Sequence, residues 1–259
     1  EPFEISRSGI ESFIKCPACF WMKIVNGIKF PGMPGFLLNS ATDTLLKKDF
    51  DRYRVLGKPH PFMEKNGLSH LVPFKHDDFE TWTKSLQLGL RTDFEEQNLI
   101  VGGGLDDVWH NPKTNEIHIV DYKSTAQGKN EAGDALKEIT LNGTYKEGYK
   151  RQMDIYSWIM RRNGFNVSND CYFVYVNGDQ YFEEGMLLDD YDKAKMMFDV
   201  HLIKYVSDDS WVSKTLADLK SCLVQESCPD HSLTGYGPKG DKPCENFMLF
   251  EGMKENNLI

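Results

Sequence analysis

Apolar residues in the first part of the chain recur with the spacing of amphipathic helices. Residues 5–24 are predicted as a helix that Ser6 or Ser8 can cap, and Pro17 should bend or end it because proline lacks a backbone donor. Residues 38–55 are predicted as a second helix because four apolar side chains share one face: Leu45, Leu46, Phe50 and Tyr53. The start of the chain is therefore predicted to be mainly helical.

Alternating apolar and polar residues replace this pattern in the middle of the chain. After a loop predicted at residues 57–80, strands on either side of a turn at 111–115 form a predicted β-hairpin. The later predicted elements are a helix at 145–163 ended by Gly164, strands at 171–176 and 200–205, a helix at 210–223, and an irregular tail from residue 227. This order predicts an α/β fold with a mixed central β-sheet flanked by helices, an N-terminal helical segment and a cysteine-containing C-terminal tail.

The composition is that of a folded globular protein, with 259 residues of which 40% are hydrophobic and 27% charged. No run approaches the roughly 18 apolar residues of a membrane helix, and the first residues lack the basic and apolar regions of a signal peptide. We therefore expect no membrane association and a cytoplasmic location, where disulfides between the six cysteines are not expected.

The charge distribution bears on nucleic-acid binding. A net charge of −9 speaks against such binding in general, because phosphate contacts need lysine and arginine. The stretch 146–162 is nevertheless rich in basic residues, and a basic groove can lie on an acidic body. Within it, Lys150 and Arg151 are the candidates for contact with nucleic acid.

The predicted hairpin carries the candidate chemistry. Asp106 lies near the start of one strand and Asp121 near the end of the other, so pairing of the strands brings them side by side. Lys123 points to the same face as Asp121 because side chains alternate along a strand. Two carboxylates suit Mg²⁺ or Mn²⁺, with the backbone carbonyl of Tyr122 as a further ligand, and a nearby ammonium suits phosphodiester hydrolysis. The alternative is a surface hairpin with one salt bridge.

Four segments together resemble the RecB-type nucleases of the PD-(D/E)XK superfamily, which include CRISPR-associated RecB-like exonucleases. They are Gly103-Gly104-Leu105-Asp106, Val120-Asp121-Tyr122-Lys123, Gln152 to Tyr156, and the opening Ser6 to Phe20 with its Cys16-Pro17 pair. The resemblance extends from residue 6 to about residue 250. It implies a restriction-endonuclease-like core in a single nuclease domain at 1–259, divided into a helical part at 1–95, a catalytic core at 96–206 and a C-terminal part at 207–259.

The resemblance also implies roles for individual residues. Asp106 and Asp121 would be metal ligands, Lys123 the catalytic lysine, and Gln152 and Tyr156 would lie beside the active centre. For the last two, the alternative is that the tyrosine anchors its helix and the glutamine satisfies backbone groups. Asp43 stands where many relatives have a metal-binding histidine, so it is either a further ligand or an exposed or capping residue.

The cysteines depart from the pattern of those relatives that hold a four-iron, four-sulfur cluster. The tight downstream Cys-x-x-Cys pair is missing, because Phe247 stands at its second position. An iron–sulfur or zinc site is still conceivable, with four candidate ligands: Cys16, Cys19, Cys228 and Cys244. The alternative is buried free thiols, and Cys171 is predicted as a core residue.

These observations predict a Mg²⁺- or Mn²⁺-dependent DNA nuclease. By resemblance alone, it would be an exonuclease that prefers single-stranded DNA and also binds the ends of duplex DNA. It would be encoded by a prokaryote or a phage, and would act in DNA repair, recombination, replication or CRISPR adaptation. The alternatives are a catalytically silent DNA-binding or assembly module with the same fold, and a nuclease that acts on RNA.

Overall fold

The computed structural model describes residues 1–29, 35–84, 89–129, 133, 138–187, 192–231, 242–256 and 258. Its elements, in chain order, are β1 (Phe3–Ser6), α1 (Arg7–Lys15), α2 (Pro17–Ile24), α3 (Leu37–Leu56), α4 (Pro61–Lys65), β2 (Val72–Pro73), α5 (Phe79–Trp82), β3 (Leu90–Phe94), β4 (Leu99–Gly103), β5 (Asp107–Asn111), β6 (Glu116–Thr125), α6 (Glu147–Arg162), β7 (Asp170–Gly178), β8 (Phe198–Val206), α7 (Val212–Leu223) and α8 (Phe247–Glu255). None of the helices in these ranges is long and apolar enough to cross a membrane.

The described residues form two compact units that alternate along the sequence. The terminal unit contains residues 1–29, 91–103, 209–231, 242–256 and 258. The central unit contains residues 35–84, 89–90, 104–129, 133, 138–187 and 192–208. Each unit has its own sheet, and the two are described separately below.

In the terminal unit, the strand order is β1-β4-β3, with β1 parallel to β4. Helix α1 follows β1 directly, and the side chain of Ser6 caps it by accepting a hydrogen bond from the Gly9 N–H at 3.1 Å. Cys16 is extended and Pro17 begins α2, so the predicted break at the proline is confirmed. The predicted helix start at residue 5 is wrong, because residues 3–6 pair with 99–102, which are remote in sequence.

In the central unit, five strands form a mixed sheet in the order β2-β5-β6-β7-β8. The predicted hairpin is confirmed, since β5 and β6 are antiparallel with Asp107 opposite Val120. Strand β6 is parallel to β7, and α6 lies between them in sequence, as a parallel pair requires a long crossover connection. The predicted fold class, a mixed α/β protein with helices flanking its sheet, is confirmed.

Helix α3 packs on one face of the central sheet. The ring of Phe50 stacks on those of Trp109 and Tyr122, with centroids 5.4 and 5.8 Å apart. The buried residues of this core are Phe50, Met63, Leu71, Trp109, Val120, Tyr122, Tyr172 and Val174. Because side chains alternate along β6, the core contacts of Val120 and Tyr122 direct Asp121 and Lys123 to the other face.

Two segments predicted as irregular contain short regular elements. Residues 57–80 include α4, β2 and the start of α5, and the tail beyond residue 227 includes α8. Met63 of α4 and Phe250 of α8 are fully buried, so packing stabilises elements too short to reveal a period in the sequence. The predicted end of α6 is correct: the helix stops at Arg162, and Gly164 has a φ of 87° that favours glycine.

Candidate functional site

The β5–β6 pair places two aspartates next to each other in the central unit. Asp106 directly precedes β5, and the pairing of Asp107 with Val120 brings it beside Asp121. The backbone N–H of Tyr122 donates a hydrogen bond to Asp106 Oδ2 at 3.0 Å. This bond fixes the Asp106 carboxylate at the edge of β6, because Tyr122 lies beyond the last paired residue of β5.

Asp121 is buried, with only 1% of its side chain exposed, and two side chains hold its carboxylate. Gln152 Nε2 donates to Asp121 Oδ1 at 2.6 Å, and the ammonium of Lys123 forms an ion pair with Oδ2. Burial raises the pKa of Asp121, Lys123 opposes this effect, and the neighbouring Asp106 adds to it. A buried carboxylate with a raised pKa is the kind of group that a bound cation stabilises in its charged form.

Lys123 lies near an aromatic ring, and a second lysine lies near a neighbouring one. Its Nζ is 4.8 Å from the centre of the Tyr149 ring, and the buried Lys146 donates a hydrogen bond to the Tyr175 hydroxyl at 2.7 Å. Burial lowers the pKa of Lys123, but the charges of Asp121 and Asp106 outweigh it, so the pKa is raised. Lys123 is therefore a fixed positive charge at the end of β6.

Helix α3 contributes a third carboxylate and a second lysine. Asp43 and Lys47 are one turn apart, and Lys47 Nζ lies 2.9 Å from Asp43 Oδ2 and 3.6 Å from Asp106 Oδ1. Burial raises the pKa of Asp43, and Asp106 raises it further. Asp43, which the sequence left open as ligand or surface residue, thus shares its surroundings with Asp106.

These groups border a cavity of about 380 Å³. Its charged lining residues are Asp43, Asp106 and Lys123, and Asn39, Ser40, Thr42, Thr44, Leu46, Tyr122, Ser124 and Tyr149 complete the lining. Its lining thus combines acidic oxygens with an ammonium group.

The neighbouring Asp107 has a different environment. It is fully buried, and its carboxylate accepts hydrogen bonds from Arg54 at 2.6 Å, from the Tyr122 hydroxyl at 2.6 Å and from Trp109 at 3.2 Å. All these partners belong to the packing between α3 and the sheet. Asp107 is thus a structural carboxylate, and the sequence pair Asp106-Asp107 divides into one site residue and one core residue.

The other predicted residues on α6 lie in several environments. Tyr156 is buried one helical turn after Gln152. Lys150 pairs with Glu147 at 2.7 Å, and Arg151 is half-buried. Gln152 contacts the aspartate cluster directly, through its hydrogen bond to Asp121.

A separate cluster of metal-binding side chains lies in the terminal unit. Its members are Cys16, Cys19, His231 and Cys244, whose ligand atoms all lie within 4.8 Å of one another. Cys16 Sγ is 3.6 Å from His231 Nδ1, Cys244 Sγ is 3.2 Å from the same nitrogen, and Cys19 Sγ is 3.4 Å from Cys244 Sγ. Three thiols and an imidazole at this spacing could bind a metal such as zinc.

Both α2 and the C-terminal segment position this cluster. Pro17 starts α2, so Cys16 and Cys19 both lie at its N-terminal end. The hydrogen bond between the Cys19 and Cys16 thiols raises the pKa of Cys19, and burial raises it further, which disfavours the Cys19 thiolate unless a cation is nearby. A metal ion would reverse that preference, because coordination favours the deprotonated thiol.

His231 is the residue that the sequence analysis missed. Cys228, proposed as the fourth ligand, is exposed. Its Sγ lies 3.4 Å from the Pro229 carbonyl oxygen and 3.9 Å from the carbonyl oxygen of Ala18, between Cys16 and Cys19, so Cys228 borders the cluster without being one of its four members. Cys228 and His231 are only three residues apart, which is a spacing typical of metal ligands. The spacing does not show which of the two side chains points to the other cysteines. The predicted core role of Cys171 agrees with its burial beside Ser157.

Comparisons with known proteins give limited guidance. No family model matches the chain, and no curated protein matches it. Among solved structures, a crystal structure from Eubacterium rectale named "Putative exonuclease" is similar with 13% sequence identity and a TM-score of 0.39, covering 86% of this chain and 83% of that one. At that level of similarity, conclusions about function rest on the site itself.

Proposed function

We propose that the central unit is a divalent-metal-dependent nuclease that hydrolyses phosphodiester bonds in DNA. The observation that carries the proposal is that Asp106 and Lys123 line one cavity while the buried Asp121 pairs with Lys123 and accepts a hydrogen bond from Gln152. Two carboxylates and a buried ammonium are the groups that this reaction requires.

The donor atoms fit a hard cation. Asp106, Asp121 and Asp43 offer carboxylate oxygens, which Mg²⁺ and Mn²⁺ prefer over nitrogen or sulfur. The carbonyl of Tyr122 would add a further oxygen, because the N–H and C=O of a strand residue point to the same edge and its N–H points to Asp106. When bound, the cation would supply Lewis acidity toward the phosphodiester.

The surrounding residues would hold the reacting groups in place. Gln152 donates to one oxygen of Asp121, the Tyr122 N–H donates to one oxygen of Asp106, and Lys123 pairs with the second oxygen of Asp121, so the orientations of both carboxylates are set. Lys123 is held in its charged form, which suits it to orient water and to stabilise negative charge developing on the phosphate. We therefore assign Lys123 electrostatic stabilisation of this charge.

DNA is the substrate we propose, cut from its ends with preference for single strands. Lys150 and Arg151 on α6 would contact its phosphates. The exonuclease mode and the strand preference rest on the sequence resemblance described above. The substrate test below therefore includes an RNA arm.

The first experiment is cleavage of end-labelled single-stranded DNA, duplex DNA and RNA with Mg²⁺, Mn²⁺ or EDTA, beside Asp121→Asn. We expect metal-dependent loss of the label from single-stranded DNA, and none in the variant. Equal cleavage by the variant would remove the mechanism. If wild-type protein leaves every substrate intact with either metal, the silent binding module becomes the better interpretation. Faster cleavage of RNA would reassign the substrate.

For the terminal unit, we propose that Cys16, Cys19, His231 and Cys244 hold a single zinc ion. With Zn–S near 2.3 Å and Zn–N near 2.0–2.1 Å, the ligand atoms of a tetrahedral site lie about 3.5–3.8 Å apart. Three of the separations in the cluster, at 3.2–3.6 Å, are close to this spacing, and all of them are within 4.8 Å. An iron–sulfur cube holds its four ligands on separate iron atoms and so needs them farther apart.

Elemental analysis of anaerobically purified protein separates the two metals. We expect one zinc per chain and a colourless protein. A brown protein with iron, sulfide and broad absorbance near 400 nm would establish the iron–sulfur alternative. Protein free of both metals after purification and zinc addition would support free thiols.

A further inference from the structure

One lysine of the central unit lies between two carboxylates that the proposed function treats as metal ligands. Lys47 Nζ is 2.9 Å from Asp43 Oδ2 and 3.6 Å from Asp106 Oδ1. Because Oδ2 of Asp106 already accepts the Tyr122 N–H, the oxygen facing Lys47 is the one left for a cation. Lys47 therefore neutralises charge on the same oxygens that a divalent cation would use.

The two lysines of the site differ in how firmly they are held. Lys123 is on β6, its side chain is 17% exposed, and it lies against the Tyr149 ring. Lys47 is on α3, its side chain is 30% exposed, and the two aspartates are its described ion-pair partners. A lysine ammonium at the end of a flexible four-carbon stem can leave such a pair without disturbing the helix.

Electrostatics decides what happens when a divalent cation arrives. A doubly charged ion and an ammonium near the same two carboxylates repel each other, and a metal binds carboxylate oxygens more closely than an ammonium does. Lys47 would then be released beside a cavity that receives a polyanion. Its positive charge next to a phosphate is favourable, whereas next to the bound cation it is not.

We propose that Lys47 is an internal counter-ion: it pairs with Asp43 and Asp106 in the metal-free protein, and on metal binding it moves to a phosphate of the DNA. This inference rests on the proposed function, because it requires both a divalent cation and a nucleic acid at this cavity. It assigns Lys47 a role different from that of Lys123. Lys47 competes with the metal and assists DNA binding, whereas Lys123 acts on the reacting phosphate.

The test compares Lys47→Met with Lys47→Arg and with Lys48→Met, since Lys48 is the exposed neighbour on the same helix. Calorimetric titration with Mn²⁺, without DNA, should give a Kd about tenfold or more lower for Lys47→Met, as expected when a nearby positive charge is removed. Lys48→Met should match wild type, and Lys47→Arg should lie close to it. With saturating Mn²⁺, Lys47→Met should raise KM for DNA several-fold and leave kcat nearly unchanged.

The direction of the change in metal affinity decides the outcome. Unchanged or weaker Mn²⁺ binding by a folded Lys47→Met protein would overturn the counter-ion role, since a lysine that only positions the aspartates weakens the site when lost. Thermal unfolding of each variant monitors folding. Wild-type protein that binds Mn²⁺ but cuts no nucleic acid would overturn the nuclease proposal while the calorimetric comparison still tests Lys47. If neither protein binds Mn²⁺, both proposals fail.

Discussion

In the central unit, Asp43, Asp106 and Lys123 line a cavity of about 380 Å³. The buried Asp121 pairs with Lys123, and Lys47 pairs with the other two aspartates. In the terminal unit, three sulfur atoms and one imidazole nitrogen lie within 4.8 Å of one another. The first set has room for a substrate beside a cation, whereas the spacing of the second suits a single ion surrounded by protein. Donor chemistry and available space thus favour a reactive site in one unit and a structural site in the other.

The two sets also differ in how each is stabilised without metal. Asp106 and Asp121 keep their places through the Tyr122 N–H, Gln152 and Lys123, so the oxygen set is held by hydrogen bonds and ion pairs. The thiol of Cys19 is instead held by neighbouring thiols and disfavours ionisation. Loss of metal should therefore abolish cleavage by the central unit and lower the thermal stability of the terminal unit.

The largest expected effect is on cleavage in Asp121→Asn. This change keeps the shape and the acceptor for Gln152 but removes a charge, and should lower kcat/KM by roughly 10³-fold because several kcal/mol of transition-state stabilisation are lost. Single-turnover cleavage measures it. Zinc content should stay at one per chain; a parallel loss of zinc would mean that the two sites are not independent.

Lys123→Met should lower kcat by about 10²-fold, the size expected for one lost electrostatic contact to the transition state. Metal binding should be retained or become tighter, because the aspartates remain and a positive charge beside Asp121 is lost. Mn²⁺ titration beside the kinetic assay separates the two properties. Should the variant lose Mn²⁺ affinity and recover full turnover at high Mn²⁺, Lys123 would be a structural partner of Asp121.

Gln152→Leu should lower kcat/KM by about tenfold, as is common when a partner that orients a metal ligand is removed. The variant loses the hydrogen bond of 2.6 Å that Gln152 donates to Asp121. Tyr156→Phe is the matched variant on the same helix, and we expect a smaller loss from it. A larger loss in Tyr156→Phe would transfer the positioning role to the tyrosine hydroxyl.

The smallest expected effect on cleavage comes from His231→Ala, which should lose zinc and lower Tm by about 5 °C while cleavage stays within about threefold. Cys228→Ser is the control, since Cys228 lies outside the cluster and should keep full zinc content. Zinc analysis and thermal unfolding of both variants check this. Zinc loss in Cys228→Ser with retention in His231→Ala would restore the four-cysteine set.

Much of the fold could be predicted because long elements carry their own pattern. Helix α3 and the β5–β6 hairpin lie within a few residues of the predicted ranges, since periodicity and turn residues are local properties. Strand β1 and helix α8 could not be predicted in this way. Phe3–Ser6 is a strand because it pairs with residues almost a hundred positions later, and α8 is short and held by the buried Phe250.

The candidate site shows the same division. Alternation along β6 predicted that Asp121 and Lys123 share one face, and the resemblance to RecB-type nucleases implied that Gln152 lies beside them. The sequence could not show that Asp106 faces the cavity while Asp107 is buried against Arg54, because adjacent residues differ only in the partners that other segments provide. Lys47 was missed for the same reason, since its second carboxylate, Asp106, comes from another element.

By itself, the sequence determined the class of fold, the hairpin with its two aspartates and lysine, and the presence of a thiol pair at Cys16 and Cys19. Only the tertiary structure decided that Asp43 and Lys47 join the aspartates, and that His231 rather than Cys228 lies with the three cysteines. The physical reason is the distance along the sequence over which each effect acts. Backbone periodicity acts over a few residues, whereas a binding site is completed by side chains that long-range packing brings within about 4 Å.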